Sequence, residues 1–339
     1  MFKKDTAFNH THMHRFRKIS NVLLSLMLGG AILYWMYRDF DFQSVKDILL
    51  NQMNWWWMLA SFPFCVMAQM FRGWRWKQSL DPLGEHARIS NCFNAVFVSY
   101  AASLVIPRIG EFTRCGILTR KDGVSFAKSL GTVVTERIVD TLVLLVIIMC
   151  IALMQLPVML SFFSHTGTRF DALLDFFGQF STTGYIVTLI CGLALCISMY
   201  LVRKRIAFYS KIRNTIHGLK DGMLSVRKVH NLPLYIMYSV GIWVAYFLHY
   251  YLTFFCFQET AALSLSCALV SFAVGCIAVL VPTPNGAGSW HFAVKTVLII
   301  YGVSDPAALF FVLIVHSVQT LMVILLGIYG WLRLSTTNS

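Results

Sequence analysis

The sequence predicts an all-α polytopic membrane protein with about six full transmembrane helices and two re-entrant helical hairpins in inverted-topology repeats. Three observations predict it. Of 339 residues, 57% are hydrophobic and only 13% charged, roughly half the charge of an ordinary soluble domain. Several apolar runs have the length needed to cross a bilayer, about 17–25 residues. Two further apolar regions are broken near their middle, by "IPRIGE" and by "VPTPNGAGS".

Taken in order, the spanning runs lie near 19–37, 55–71, 132–154, 184–202, 234–257 and 306–332. The first, "ISNVLLSLMLGGAILYWMY", is long enough to be a retained helix rather than a cleaved leader. The interrupted regions, 89–119 and 264–301, each admit two readings: one ordinary span plus a surface helix, or a hairpin that enters and leaves by the same side. Counting positive charges favours hairpins. With the N-terminus cytoplasmic, the inner segments hold 21 Lys/Arg, while the outer ones hold only Arg38, Lys46 and Arg169. A full crossing at 89–106 would invert every later loop. The second hairpin rests mainly on its likeness to the first.

The layout then repeats. Repeat A (55–154, with hairpin 89–119) begins outside, and repeat B (234–332, with hairpin 264–301) begins inside. The whole chain, 1–339, is one transmembrane domain with both termini cytoplasmic. Such inverted repeats place their sites between the halves, at discontinuous helices. Two connecting segments suit the interface. "FDFQSVKDILLNQMNWWW" leads into an aromatic belt at Trp55, Trp56 and Trp57. Residues 203–231 read equally as a basic amphipathic helix or a solvated linker.

The net charge of +13 is spent on topology, which argues against a nucleic-acid partner. Nine cysteines scattered through apolar stretches support neither a disulfide framework nor a metal site. No nucleophile with a base, P-loop or dinucleotide fingerprint occurs in a usable context, so neither enzymatic activity nor a cofactor is expected.

Three stretches could carry chemistry. In "PRIGEFTR", Pro107 ends a half-helix and Gly110 permits close approach. Arg108, Glu111 and Arg114 then share a broad face. A helix N-terminus at depth attracts anions, and arginine binds phosphate through paired donors. In "TERIVD", Glu136 and Asp140 share a face, and Arg137 can pair with Asp140. Arg108 or Arg114 would pair with Glu136. This group is either a hydrated site or an architectural ion-pair clamp. In "VPTPNGAGSW", Pro282 and Pro284 stop the incoming helix, while Asn285, Gly286 and Gly288 allow the reversal. Ser289 caps the outgoing helix, and His291 and Lys295 follow one turn apart. His249 and His316 lie within spans, where helix-to-helix hydrogen bonding explains them.

Together, "PRIGEFTR", "TERIVD" and "PTPNGAG" resemble the flippase-like membrane domain of lysylphosphatidylglycerol synthases, over about 15–333. The resemblance implies a bacterial plasma-membrane protein that moves a lipid or lipid-linked glycan between leaflets. It also implies that Arg108, Gly110, Glu111, Arg114, Glu136, Arg137, Asp140, Pro282, Pro284, Gly286 and Gly288 match the family pattern. Asn285 and His291 depart from it, standing where many relatives have glycine and an acid. The expected ligand is an anionic or phosphate-bearing membrane lipid. Transport of a small anion, or an accessory role beside a lipid- or glycan-modifying enzyme, is the alternative. A homo-oligomer or a partner enzyme is compatible with either.

Overall fold

A computed structural model describes residues 27, 30–38, 53–106, 108–155, 217–281 and 283–336. The described residues form helices and turns, with no strand among them. Among the described residues eight helices carry the architecture: α1 (Trp55–Leu80), α2 (Ile89–Val105), α3 (Ile109–Asp122), α4 (Phe126–Met154), α5 (Leu232–Phe254), α6 (Leu265–Ala278), α7 (Ser289–Ile300) and α8 (Asp305–Thr336). Two of them, α5 and α8, are long and apolar enough to cross a membrane by composition alone. The expected span 184–202, residues 39–52, residues 203–216, Pro107 and Pro282 lie outside the described residues.

Helix α1 starts where Asn54 accepts a hydrogen bond from the Trp56 N–H, a standard use of asparagine at an N-terminus. Trp56 is 79% exposed, as an interfacial aromatic would be. The helix does not stop near 71 as expected. It continues to Leu80, so Arg72 and Arg75 are not loop charges but buried helical residues. The reason is periodic: Cys65, Ala68, Gln69, Arg72, Arg75 and Trp76 recur at three- and four-residue steps on one buried face. That face packs along α5. Gln69 donates to the Tyr246 hydroxyl at 3.0 Å, Arg75 donates to Ser239 at 3.1 Å, and His249 lies 3.1 Å from the Ser61 carbonyl.

Helices α2 and α3 pack against each other across a break at 106–108. Arg108 stands in the left-handed region at φ 65°, a conformation that costs a non-glycine residue about 1 kcal/mol or more. Gly110 then sits so close to α2 that a β-carbon there would collide with the Ser99 carbonyl and the Ser103 hydroxyl. Helices α6 and α7 form the corresponding pair around 279–288, with Asn285, Gly286 and Gly288 all at positive φ. A β-carbon on Gly275 would strike Trp290 Nε1 at 2.8 Å, so glycine sets the spacing of this pair too.

The packing between the two halves is reciprocal. Helix α1 packs on α5, α2 on α8, and α6 on α4. Close approach of α2 to α8 depends on Gly327 and Gly330, whose missing β-carbons leave room for Ala101 and the Asn94 carbonyl. Outward faces stay apolar: Leu142, Leu145, Val146 and Met149 of α4 are all more than half exposed.

The turn before α2 is tied to α4 by Glu85, which accepts from the Ser125 N–H at 2.8 Å and pairs with Lys128 at 2.8 Å. Partial burial would raise this carboxyl, but the Lys128 and Ser125 hydrogen bonds outweigh it and hold it below its ordinary value. A depressed carboxylate adds stability above its unfolded pKa, and this is lost as pH falls through the folded one. Glu85→Gln should therefore lower stability at pH 7 by no more than about 0.5 kcal/mol given solvent screening, seen as a slight drop in melting temperature. The difference from the parent should vanish in thermal melts well below pH 4, where both side chains are neutral.

Candidate functional site

Five arginine and carboxylate side chains from α1, α3 and α4 form a buried network, with two more at its edge. Asp140 receives Arg72 Nη1 at 2.6 Å and Arg75 Nη2 at 2.7 Å. Glu136, with a fully buried side chain, receives Arg114 Nη2 at 2.6 Å and lies 3.8 Å from Arg75 Nε. At the edge, Arg137 reaches Asp140 at 3.3 Å and Glu111 at 3.6 Å. Four arginines against three carboxylates leave the group with a formal charge of +1. Aromatic faces complete the lining. The Arg114 guanidinium stands 4.6 Å from the Trp76 ring centroid, and Arg72 lies 5.8 Å from that of Tyr100, distances at which the ring quadrupole stabilises a cation. Arg72 Nε and Arg114 Nη1 are buried and make no hydrogen bond among the described residues, so donor capacity remains.

The two backbone breaks meet. Helix α2 contacts the turn Pro284–Gly286. Leu104, one turn before the first break, lines a cleft of ≈ 390 Å³ with Asn285, His316, Ser317, Thr320 and Ile324. His316 and Thr320 lie near the middle of α8, a helix of 32 residues and hence about 48 Å long. The convergence point is therefore near the middle of the longest apolar helix among the described residues, far from either end.

A closed ring of hydrogen bonds shapes the second break. His316 Nε2 donates to the Asn285 carbonyl at 3.1 Å, and Asn285 Nδ2 donates to Thr320 Oγ1 at 3.1 Å. The Thr320 hydroxyl lies 3.5 Å from His316 Nδ1 and can return its proton there. The His291 ring stacks obliquely on His316, with centroids 4.4 Å apart, and its Nδ1 accepts the Gly288 N–H at 3.3 Å. Since Nδ1 must accept, that imidazole is neutral. His291 takes the capping role expected of Ser289. Gly288 is the cap residue, and Ser289 Oγ instead donates to the Gly286 carbonyl at 3.2 Å.

The family model for the lysylphosphatidylglycerol synthase TM region matches residues 22–327. The chain belongs to that family. Neither a curated protein nor a solved structure shows significant similarity to it. As a member of a membrane-domain family built from apolar helices, this lysylphosphatidylglycerol synthase TM-region protein is a membrane protein.

Within this family member the sequence-derived candidates fall into three groups. Arg114, Glu136, Arg137, Asp140 and Glu111 come together in the ion network. Arg108 is exposed at the first break, with no ion-pair partner among the described residues, so of the two partners expected for Glu136 it is Arg114 that reaches it. Gly110, Asn285, Gly286, Gly288 and His291 shape the breaks. Lys295 does not join them. It lies six residues into α7, about 9 Å of rise beyond Ser289, and its ammonium pairs with Asp305 at 2.8 Å. Three participants escape sequence reading: Arg72 and Arg75, whose charges resemble topology signals, and His316 in its specific role at the second break. For the arginines, the usable signal is the unbroken three- and four-residue periodicity through "AQMFRGWRW".

Proposed function

We propose that this protein is a flippase-like translocase of the bacterial plasma membrane, with both termini cytoplasmic and no bond-making chemistry of its own. It holds the phosphate-bearing head group of a lipid or lipid-linked glycan between two re-entrant hairpin tips while the tails remain in the bilayer. The observation that carries this reading is the meeting of the two backbone breaks beside the middle of α8. Irregular backbone at membrane depth is tolerable only when buried in protein or lining a polar cavity. The reciprocal packing of α1 on α5, α2 on α8 and α6 on α4 supports two inverted repeats with the tips at their interface.

In this reading Arg108 is the cation that meets phosphate, since it is exposed and has no ion-pair partner among the described residues. The left-handed Arg108 backbone turns the chain so that the N-terminus of α3 follows at once, adding the positive end of that helix dipole to the same field. Arg72, Arg75, Arg114, Glu136 and Asp140 hold α1, α3 and α4 in register and keep the field positive. Leu104, Leu321 and Ile324 give the cleft an apolar side, which suits a lipid better than a free solute.

The test is transport by Arg108→Ala protein in vesicles carrying tail-labelled anionic lipid. Its thermal stability should match the parent, because the side chain has no ion pair to lose, while lipid movement should fall about tenfold or more, the loss of one charge-assisted contact. Equal rates for variant and parent would remove Arg108 from the mechanism and with it this reading of the tips.

A further inference from the structure

His291 and His316 stand against each other at the second break, with ring centroids 4.4 Å apart. Two like charges this close cannot both be carried away from bulk water, so the pair has room for one proton. Its surroundings decide which ring takes it. His291 is closed to it, because its Nδ1 accepts the Gly288 N–H at 3.3 Å. A proton on that nitrogen would set two donors against each other and undo the cap of α7. His316 is open to it. Its Nε2 donates to the Asn285 carbonyl at 3.1 Å, which leaves Nδ1 as the acceptor, 3.5 Å from the Thr320 hydroxyl. That hydroxyl can turn round. With a proton on Nδ1, Thr320 Oγ1 accepts from the imidazolium as well as from Asn285 Nδ2 at 3.1 Å, which uses the two lone pairs a hydroxyl has. Trp290, with its ring centroid 5.4 Å from that of His316, lies in the range over which an indole stabilises a cation. The other titratable groups on the packed elements are accounted for. On α7, Lys295 is paired with Asp305. The helical stretch 30–37 brings Tyr37, edge-on to His291 at 6.2 Å. Helix α2 brings Tyr100, whose hydroxyl accepts from Tyr246 at 3.1 Å, and Arg108 follows that helix at the first break.

We infer that His316 is a proton-binding site: it takes one proton from solvent at Nδ1, His291 stays neutral, and the bound proton latches the second tip to α8. His316 and Thr320 both line the cleft through which solvent reaches them. On protonation the bond from His316 Nε2–H to the Asn285 carbonyl becomes charge-assisted, roughly twice as strong as a neutral one. Asn285 is the left-handed residue, φ 53°, at which this turn reverses. What strengthens is therefore the hold of α8 on the tip itself. With the proton gone, neutral hydrogen bonds hold the same turn. The site stands on this geometry, and its effect on lipid movement rests on the translocase reading.

The experiment uses the full chain in phosphatidylglycerol vesicles, with isotope-labelled histidine rings followed by solid-state NMR of the ring nitrogens from about pH 8 to about pH 4.5. Signals are assigned by their loss in His316→Gln and His291→Gln. The His316 ring should become doubly protonated as pH falls, while His291 Nδ1 stays unprotonated throughout. Movement of tail-labelled phosphatidylglycerol by the parent should slow about tenfold over the same range, the worth of one charge-assisted hydrogen bond. It should stay flat in His316→Gln, whose amide can donate to Asn285 but takes no proton. Each comparison across pH is internal to one sample, so partial misfolding of a variant leaves it readable. A His316 ring that stays neutral, a first proton on His291, or the same pH slope in His316→Gln as in the parent would overturn the inference and leave the translocase reading in place. Lipid that does not move at any pH would overturn the translocase reading and the latch's effect on movement, while the ring titration still decides the proton site.

Discussion

Glu136→Ala should destabilise the folded protein by about 3–5 kcal/mol, the range for removing one partner from a buried ion pair. Its side chain is wholly enclosed, between Arg114 at 2.6 Å and Arg75 at 3.8 Å. The loss comes less from the missing attraction than from what is left behind. Arg114 would keep only the face of Trp76, and its side chain is 3% exposed, so water cannot replace the carboxylate. Arg75 retains Asp140 and Ser239 and suffers less. Thermal unfolding of detergent-purified protein measures the effect. A second variant separates the pair from its surroundings: with Arg114→Met and Glu136→Met combined, the loss should be smaller than the sum of the two single losses, because neither leaves an unpaired charge. Simple additivity would mean that the two residues do not act as a unit.

The second large effect is steric. Gly110→Ala places a β-carbon on the Ser99 carbonyl and the Ser103 hydroxyl, and neither can step aside. Ser99 is helical backbone, and Ser103 Oγ already accepts the Gly110 N–H at 3.2 Å. Helix α3 must therefore move off α2, at a cost of about 1–3 kcal/mol or more, carrying Arg108 with it. Both the melting temperature and lipid movement should drop. Gly116→Ala is the internal control. It lies on the same helix, and a β-carbon added there would meet nothing within 4 Å, so the change should be neutral or stabilise by up to about 1 kcal/mol through helix propensity. If the two alanine variants behaved alike, the close approach at Gly110 would not be what holds the first tip.

Much of this is legible in the sequence because prolines and glycines inside apolar runs report local backbone directly. "IPRIGE" and "VPTPNGAGS" mark the breaks at 106–108 and 279–288 without any tertiary information. The pairing of Arg137 with Asp140 is legible for the same reason, since helical spacing alone sets it. What cannot be read depends on distant partners. Arg72 and Arg75 become site residues only when α4 brings Asp140 against them, 68 residues along the chain for Arg72. Until then they are indistinguishable from the charges that fix topology. Lys295 fails in the opposite direction: the i, i+4 step from His291 gives a shared face, but height along the helix decides which partner is in reach, and that partner is Asp305. The network's charge balance likewise changes its meaning. With Arg72 and Arg75 included, each of its carboxylates faces an arginine, and Arg108 stands outside the network, exposed and with no ion pair among the described residues.

The claim on which the rest depends is that the two breaks share one cleft in the membrane-embedded protein. Cysteines placed at Leu104 and Ala287, both lining that cleft, test it in a chain whose nine native cysteines have been replaced. Treated in native membranes with a short bifunctional thiol reagent and digested for mass spectrometry, the pair should yield an intramolecular link between the two peptides. Single labelling at each position with no link between them would contradict the account.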